Sequence, residues 1–277
     1  MSELPDVGPL ASEAATAVAA SEEAGVLLRR HFADLPPPEE KVGGEPVSIA
    51  DRESDDLIRA RLLGVFPADA LLTEEAPDDG ARANKDRVWI VDPLDGTRDF
   101  LAGVPEFAVH VGLAREGAPV LGVVHCPPTA RTWLGVPGRG AWARDGGGEW
   151  SPIRVHEPAD PLRIAVTRRG LGSRTRQLRT LLPAHVLVRS GSAGLKAALV
   201  ADGGCDVYPA VTRVMKEWDL CAPHAVVAAA GGVCTDLGGG SITYNAPDVR
   251  ASRGFLVTTP ALLERLRPIL AEMAKTF

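Results

Sequence analysis

The chain has 277 residues, 45% hydrophobic and 24% charged, with a formal net charge of −6. That suffices for one large domain or two closely packed small ones, and the scattered Lys and Arg form no basic stripe for a nucleic-acid polymer. No apolar run approaches the roughly 20 residues of a membrane span and the acidic N-terminus has no signal-peptide core, so the expectation is a cytoplasmic protein without membrane contact. Cys126, Cys205, Cys221 and Cys234 are too dispersed for a zinc motif and read as buried free thiols.

Apolar residues at helical spacing over 10–32 predict a packing helix, ended by Pro36-Pro37-Pro38. Residues 41–50 read as a Gly-rich flexible loop, and Asp51 as the N-cap of a second helix that Pro67 stops. The short apolar run Leu71-Leu72-Thr73 ends in Glu74-Glu75. Val88-Trp89-Ile90-Val91 predicts a strand buried on both faces, ending at Asp92. Pro93 then sets a tight turn that brings Asp92 and Asp95 to one side, Gly96 permits close backbone approach, and Thr97 opens a short helix.

Period-two alternation over 107–150 predicts an antiparallel meander, in which His110 and His125 read as hydrogen-bonded strand residues rather than ligands. A Gly-rich break at 143–152 divides an N-terminal α+β part, 1–150, from a C-terminal α/β part, 151–277. In the latter, strands at 163–167, 186–189, 206–208, 233–236 and 255–258 alternate with helices at 173–182, 193–201, 219–230 and 260–275. Such alternation predicts a sheet covered by helices.

Two hard oxygen anions beside helix-start amides suit a divalent cation and the phosphate it neutralises. An Asp-Pro turn followed by an N-cap is the plainer reading of the same residues, and Asp219 could likewise be only a helix cap. Taken together, Glu74-Glu75, W-I-V-D-P-L-D-G-T over 89–97, and Trp218-Asp219 before a small-residue helix and Gly231-Gly232 resemble the inositol monophosphatase superfamily of Mg²⁺-dependent, lithium-sensitive phosphomonoesterases.

The resemblance implies an α+β fold, the layered αβαβα sandwich of the inositol monophosphatase and fructose-1,6-bisphosphatase type, with the cleft between its halves. It implies two to three Mg²⁺ ions. Glu74, Asp92 and the Leu94 carbonyl would hold one, and Asp92, Asp95 and Asp219 a second. Glu74 and Asp51 would hold a third, weaker ion partly through water. Thr97, hydrogen-bonded to Asp51 or Glu74, would orient the attacking water, and the amides of Gly96 and Thr97 would grip the phosphate. Lys41 corresponds to a lysine that the family carries before this helix.

Within the superfamily, Arg98-Asp99 before Phe100 and G-S-A-G-L-K over 191–196 resemble the CysQ-type 3′(2′),5′-bisphosphate nucleotidases. A second phosphate needs cations, for which Lys196 with Arg98 or Arg213 are candidates, alongside Ser192 and Ala193 of the same motif. A surface lysine and an Arg98–Asp99 pair are the structural alternatives. Pro209 and Ala210 follow Tyr208 where inositol phosphatases carry an acid and some bisphosphate nucleotidases an arginine. Tyr244-Asn245 could contact the base or sugar. The expected reaction is hydrolysis of adenosine 3′,5′-bisphosphate, a by-product of sulfate assimilation, to AMP and phosphate. An inositol-1-phosphate or fructose-1,6-bisphosphate phosphatase, and a non-catalytic metal- or nucleotide-binding relative, remain alternatives. The expected partner is a small phosphorylated molecule; monomer and homodimer are both open.

Overall fold

The structure, a computed structural model, describes residues 3–41, 44–170 and 172–274. Helices α1 (Ala11–Ala33) and α2 (Ile49–Val65) pack on each other. Between them, the stretch expected to be a flexible loop carries a short hairpin of β1 (Glu39–Glu40) and β2 (Pro46–Val47); Val42 and Gly43 lie outside the described residues. The N-cap of α2 is Ser48 rather than Asp51. Asp51 occupies the third helical position, where its Oδ2 accepts the Ser48 amide at 2.8 Å in a capping box.

The first sheet has seven strands in chain order: β3 (Ala70–Thr73), β4 (Arg87–Asp95), β5 (Ala108–Arg115), β6 (Ala118–Cys126), β7 (Arg131–Val136), β8 (Gly140–Asp145) and β9 (Ser151–Ile153). Its first pair is parallel and the rest antiparallel, so the expected meander forms and runs on to Ile153. A short helix, α3 (Thr97–Leu101), follows β4. The second sheet contains β10 (Leu162–Thr167), β11 (His185–Ser190), β12 (Val207–Ala210), β13 (Val233–Thr235) and β14 (Phe255–Thr258), in the order β11-β10-β12-β14-β13.

Four helices complete the chain: α4 (Ser173–Leu181), α5 (Ala193–Ala201), α6 (Glu217–Ala229) and α7 (Pro260–Ala274). Lys275, expected to end the last helix, lies outside the described residues. Helices α5 and α6 lie between the two sheets, α1 and α2 cover the outer face of the first, and Leu262, Leu266 and Leu270 of α7 pack on Leu162, Ile164 and Leu256 outside the second. The result is the layered αβαβα sandwich. All four cysteines are buried and free, and no described helix is long and apolar enough to cross a membrane.

The close approach of α6 to the first sheet has a specific cause. Gly112, Gly122 and Gly135 stand side by side on β5, β6 and β7, in register. A Cβ at these positions would lie 2.8 Å from Cys221 Sγ, 2.2 Å from the Ala222 carbonyl oxygen and 2.4 Å from Val226 Cα, respectively. The three glycines form a track in which the helix rests directly on strand backbone. Replacing Gly122 by Ala should therefore force α6 outward and cost roughly 1–3 kcal/mol, read as a lowered midpoint of denaturant unfolding. Gly64→Ala, at an exposed α2 position with nothing within 4 Å, should be neutral or stabilising by up to about 1 kcal/mol.

Candidate active site

Asp92 and Asp95 are three residues apart on one strand, and in a regular strand an odd spacing sends side chains to opposite faces. Strand pairing resolves the conflict: Asp92 faces His110 and Asp95 faces Ala108, so three steps on β4 match two on β5. This bulge restores the parity and turns both carboxylates toward the same space. The Leu94 amide donates to Asp92 Oδ1 at 3.0 Å, tightening the bend at Pro93. From the other side, α6 delivers Asp219 at its third position, where Oδ2 accepts the Lys216 amide at 2.6 Å. Asp219 thus both caps the helix and faces the other two acids. Asp92, Asp95 and Asp219 present ligand atoms that all lie within 4.8 Å of one another.

Such crowding is unfavourable for bare anions. Burial pushes the Asp92 carboxyl well above its ordinary range, reinforced by the charges of Glu74, Asp95 and Asp219. Asp219 is raised likewise, by burial and then by Asp95 and Glu74. Burial also opposes ionisation of Asp95, but His110, Lys196 and Ser192 outweigh it and hold this carboxyl below the usual range. His110 Nε2 lies 3.2 Å from Asp95 Oδ2 without a well-directed hydrogen bond. Ser192 Oγ donates to the same oxygen at 2.5 Å and the Gly194 amide at 3.0 Å. Among the described residues, neither Asp92 nor Asp219 has a side-chain cation at ion-pair distance. Three convergent oxygen donors carrying excess negative charge fit a hard divalent cation.

Glu74 borders this group without joining it. Its Oε1 accepts from Lys41 Nζ at 2.8 Å, and Glu75 Oε1 accepts from the same ammonium at 2.5 Å. Burial raises the Glu75 carboxyl to about 7 against the pull of Lys41. Thr97 Oγ1 lies 2.9 Å from Asp51 Oδ1 and 3.1 Å from the Leu94 carbonyl, so its one proton has two acceptors. Of Asp51 and Glu74, it is Asp51 that Thr97 bonds. Burial raises the Asp51 carboxyl, with Ser48, Thr97 and Lys41 opposing.

These groups open into a cleft of about 540 Å³. Glu74, Asp92, Leu94, Asp95, Gly96, Thr97, Arg98, Ala193, Lys196 and Asp219 all line it. Asp51 is buried behind Thr97, and Ser192 lies behind Asp95 with its hydroxyl committed to that carboxylate. Ser192 adopts φ 43°, a strained value for a residue with a side chain, at the N-cap of α5. Arg213 is exposed and does not line the cleft. Lys196 is not a surface lysine: its Nζ donates to the Gly191 carbonyl at 2.9 Å and to that of Ser192, and burial lowers the ammonium to about 8.

Two expectations are corrected. Tyr244 is buried in the core against His224, and Asn245 bonds the backbone carbonyls of Arg82 and Lys85 beside Glu217, so neither reaches the cleft. Asp99 pairs with Arg169 at 2.8 Å and not with Arg98. Arg169 lines the cleft, as do Glu45, Lys216 and an apolar wall of Val166, Val211, Met215 and Trp218. Of these, Trp218 belongs to the Trp218-Asp219 motif read from the sequence, whereas Arg169, just past a predicted strand, carried no such signal.

Known proteins place this geometry in a family. The inositol monophosphatase family model matches residues 10–273. The chain is 33% identical to the 3′(2′),5′-bisphosphate nucleotidase CysQ of Escherichia coli K12 over 79% of its length and 87% of that protein. It is 37% identical to the 3′-phosphoadenosine 5′-phosphate phosphatase of Mycobacterium bovis over 72% of each. Among solved structures, CysQ from Bacteroides thetaiotaomicron matches with a TM-score of 0.78 and 29% identity, covering 90% of this chain and 97% of that one. An IMPase from Thermotoga maritima matches at TM-score 0.79 and 25% identity, covering 96% and 99%. With nearly its whole length matched in sequence and in fold, the chain belongs to the inositol monophosphatase family.

Proposed function

We propose that the protein is a Mg²⁺-dependent phosphomonoesterase that hydrolyses adenosine 3′,5′-bisphosphate to AMP and phosphate. The observation that carries the reading is the convergence of Asp92, Asp95 and Asp219 in a cleft that, among the described residues, is also lined by four basic side chains, Arg98, Arg169, Lys196 and Lys216. The names of the similar proteins point the same way, since several are bisphosphate nucleotidases. In this reading the site lies between the N-terminal part, 1–150, and the C-terminal part, 151–277.

Asp92, Asp95 and Asp219 would hold one ion, and Glu74 with Asp92 and the Leu94 carbonyl another, once Glu74 is released from Lys41. Divalent ions there would shield the phosphate dianion, acidify a water and stabilise the departing oxygen. The chain's own contribution is positioning. With its proton donated to Asp51, Thr97 Oγ1 presents a lone pair to the cleft and can accept a hydrogen bond from water. Asp51, raised by burial, can take the proton relayed through that hydroxyl. Gly96, at φ 102°, ends the strand without a side chain and leaves its amide and that of Thr97 to the phosphate. The apolar wall suits a nucleobase better than a polyol, which favours a nucleotide over an inositol ester.

With Mg²⁺, phosphate release should be fastest from adenosine 3′,5′-bisphosphate when this ester, inositol 1-phosphate and fructose 1,6-bisphosphate are assayed in parallel. Preference for the inositol ester would overturn the nucleotide assignment, and no release from any of them would favour a binding-only role. Asp95→Asn should lower kcat by on the order of 100-fold or more and abolish the Mg²⁺-dependent rise in melting temperature expected of the wild type. Lithium should inhibit turnover by competing at a Mg²⁺ position, seen as inhibition that depends on Mg²⁺ concentration.

A further inference from the structure

Four basic side chains line the cleft among the described residues, and their surroundings separate them. Lys216 is engaged with Glu45 at 2.9 Å. Lys196 is buried, bonded to two carbonyls and placed 5.2 Å over the Tyr208 ring, where it neutralises the acids around it. Arg98 is exposed on α3, beside an acid that pairs elsewhere. Arg169 lies two residues beyond β10, lines the cleft, and donates from Nε to Asp99 Oδ1 on α3 at 2.8 Å.

That anchor is itself constructed. Asp99 is mostly buried, two residues beyond Thr97 on the same short helix. A Cβ on Gly191 would come within 3.1 Å of Asp99 Oδ2, so the missing side chain leaves the carboxylate its place. The Gly191 amide donates to Glu106 at 2.7 Å, and Glu106 takes the neighbouring Arg168. Two successive arginines are thus sorted onto two different acids, and the one that faces the cleft is tied to the helix that begins with Thr97. A guanidinium carries five N–H donors in a rigid fork, more than a single Asp99 oxygen accepts, and it suits an oxyanion in bidentate geometry.

We propose that Arg169, oriented by Asp99, binds the second, non-scissile phosphate of the substrate and so sets the preference for a bisphosphate. The inference rests on the bisphosphate reading above. Asp99 is a positioning residue in this arrangement: it fixes the distance between the cation and the site of hydrolysis through α3.

The test compares kcat/KM for adenosine 3′,5′-bisphosphate and adenosine 3′-phosphate in the wild type and in Arg169→Ala, Arg169→Gln, Asp99→Asn and Arg98→Ala. The Arg169 variants should lose roughly 10- to 100-fold more on the bisphosphate than on the monophosphate. Asp99→Asn should show a smaller loss of the same sign, carried by KM rather than kcat. Equal losses on both esters in both Arg169 variants would overturn the role of Arg169, as would a selective loss confined to Arg98→Ala. A wild type that prefers the monophosphate would instead overturn the bisphosphate reading, and the proposal with it.

Discussion

Three carboxylates, one buried and two half-buried, whose ligand atoms lie within 4.8 Å of one another repel, and the rest of the molecule is arranged to hold them there. Left alone, such a group would take up protons or move apart. Asp92 and Asp219 do hold their protons more tightly than free carboxyls, but the acids cannot easily move apart, because each comes from a different constraint: a strand, the bulge beyond it, and the start of a helix from the other half of the chain. The excess negative potential suits a divalent cation. Asp95 is the exception that sets the site's polarity, since Ser192, Gly194 and His110 stabilise its charge from behind.

The layers serve this arrangement. The glycine track on β5, β6 and β7 lets α6 rest on backbone, and its seat fixes how far Asp219 stands from β4. At its first turn, Glu217 accepts the amides of Asn245 and Ala246, tying the Gly-rich loop to the helix start. Gly194 repeats the device on α5: a Cβ there would meet His110 Nε2 at 2.0 Å, so only glycine lets that helix reach Asp95. Close packing is thereby converted into the position of charge.

Much of this was legible along the chain. The helix expected at 193–201 and the strand at 255–258 are found at those bounds, because each is a compact apolar run between clear breaks. The acids announced themselves through motifs in which polar residues interrupt strongly apolar segments. What escaped depended on partners distant in sequence. The parity of Asp92 and Asp95 is decided by register against β5, which no local pattern encodes. The anchoring of Arg169 joins residues 70 positions apart, and the burial of Lys196 follows from packing between sheets. Ser48 lost the N-cap to Asp51 in the sequence reading because serine and aspartate three apart satisfy each other's end of a capping box, and either one can look like the cap. Tyr244 read as a site residue because a tyrosine in a Gly-rich loop looks exposed, whereas His224 draws it into the core.

If Asp92, Asp95 and Asp219 converge to hold a divalent cation, the ion should be directly visible. Anomalous diffraction from crystals saturated with Mn²⁺, a close stand-in for Mg²⁺, tests it without reference to any substrate. A strong peak is expected between these three carboxylates, at oxygen-ligand distance from each. Density confined to other parts of the surface, or no bound ion at saturating metal, would contradict it.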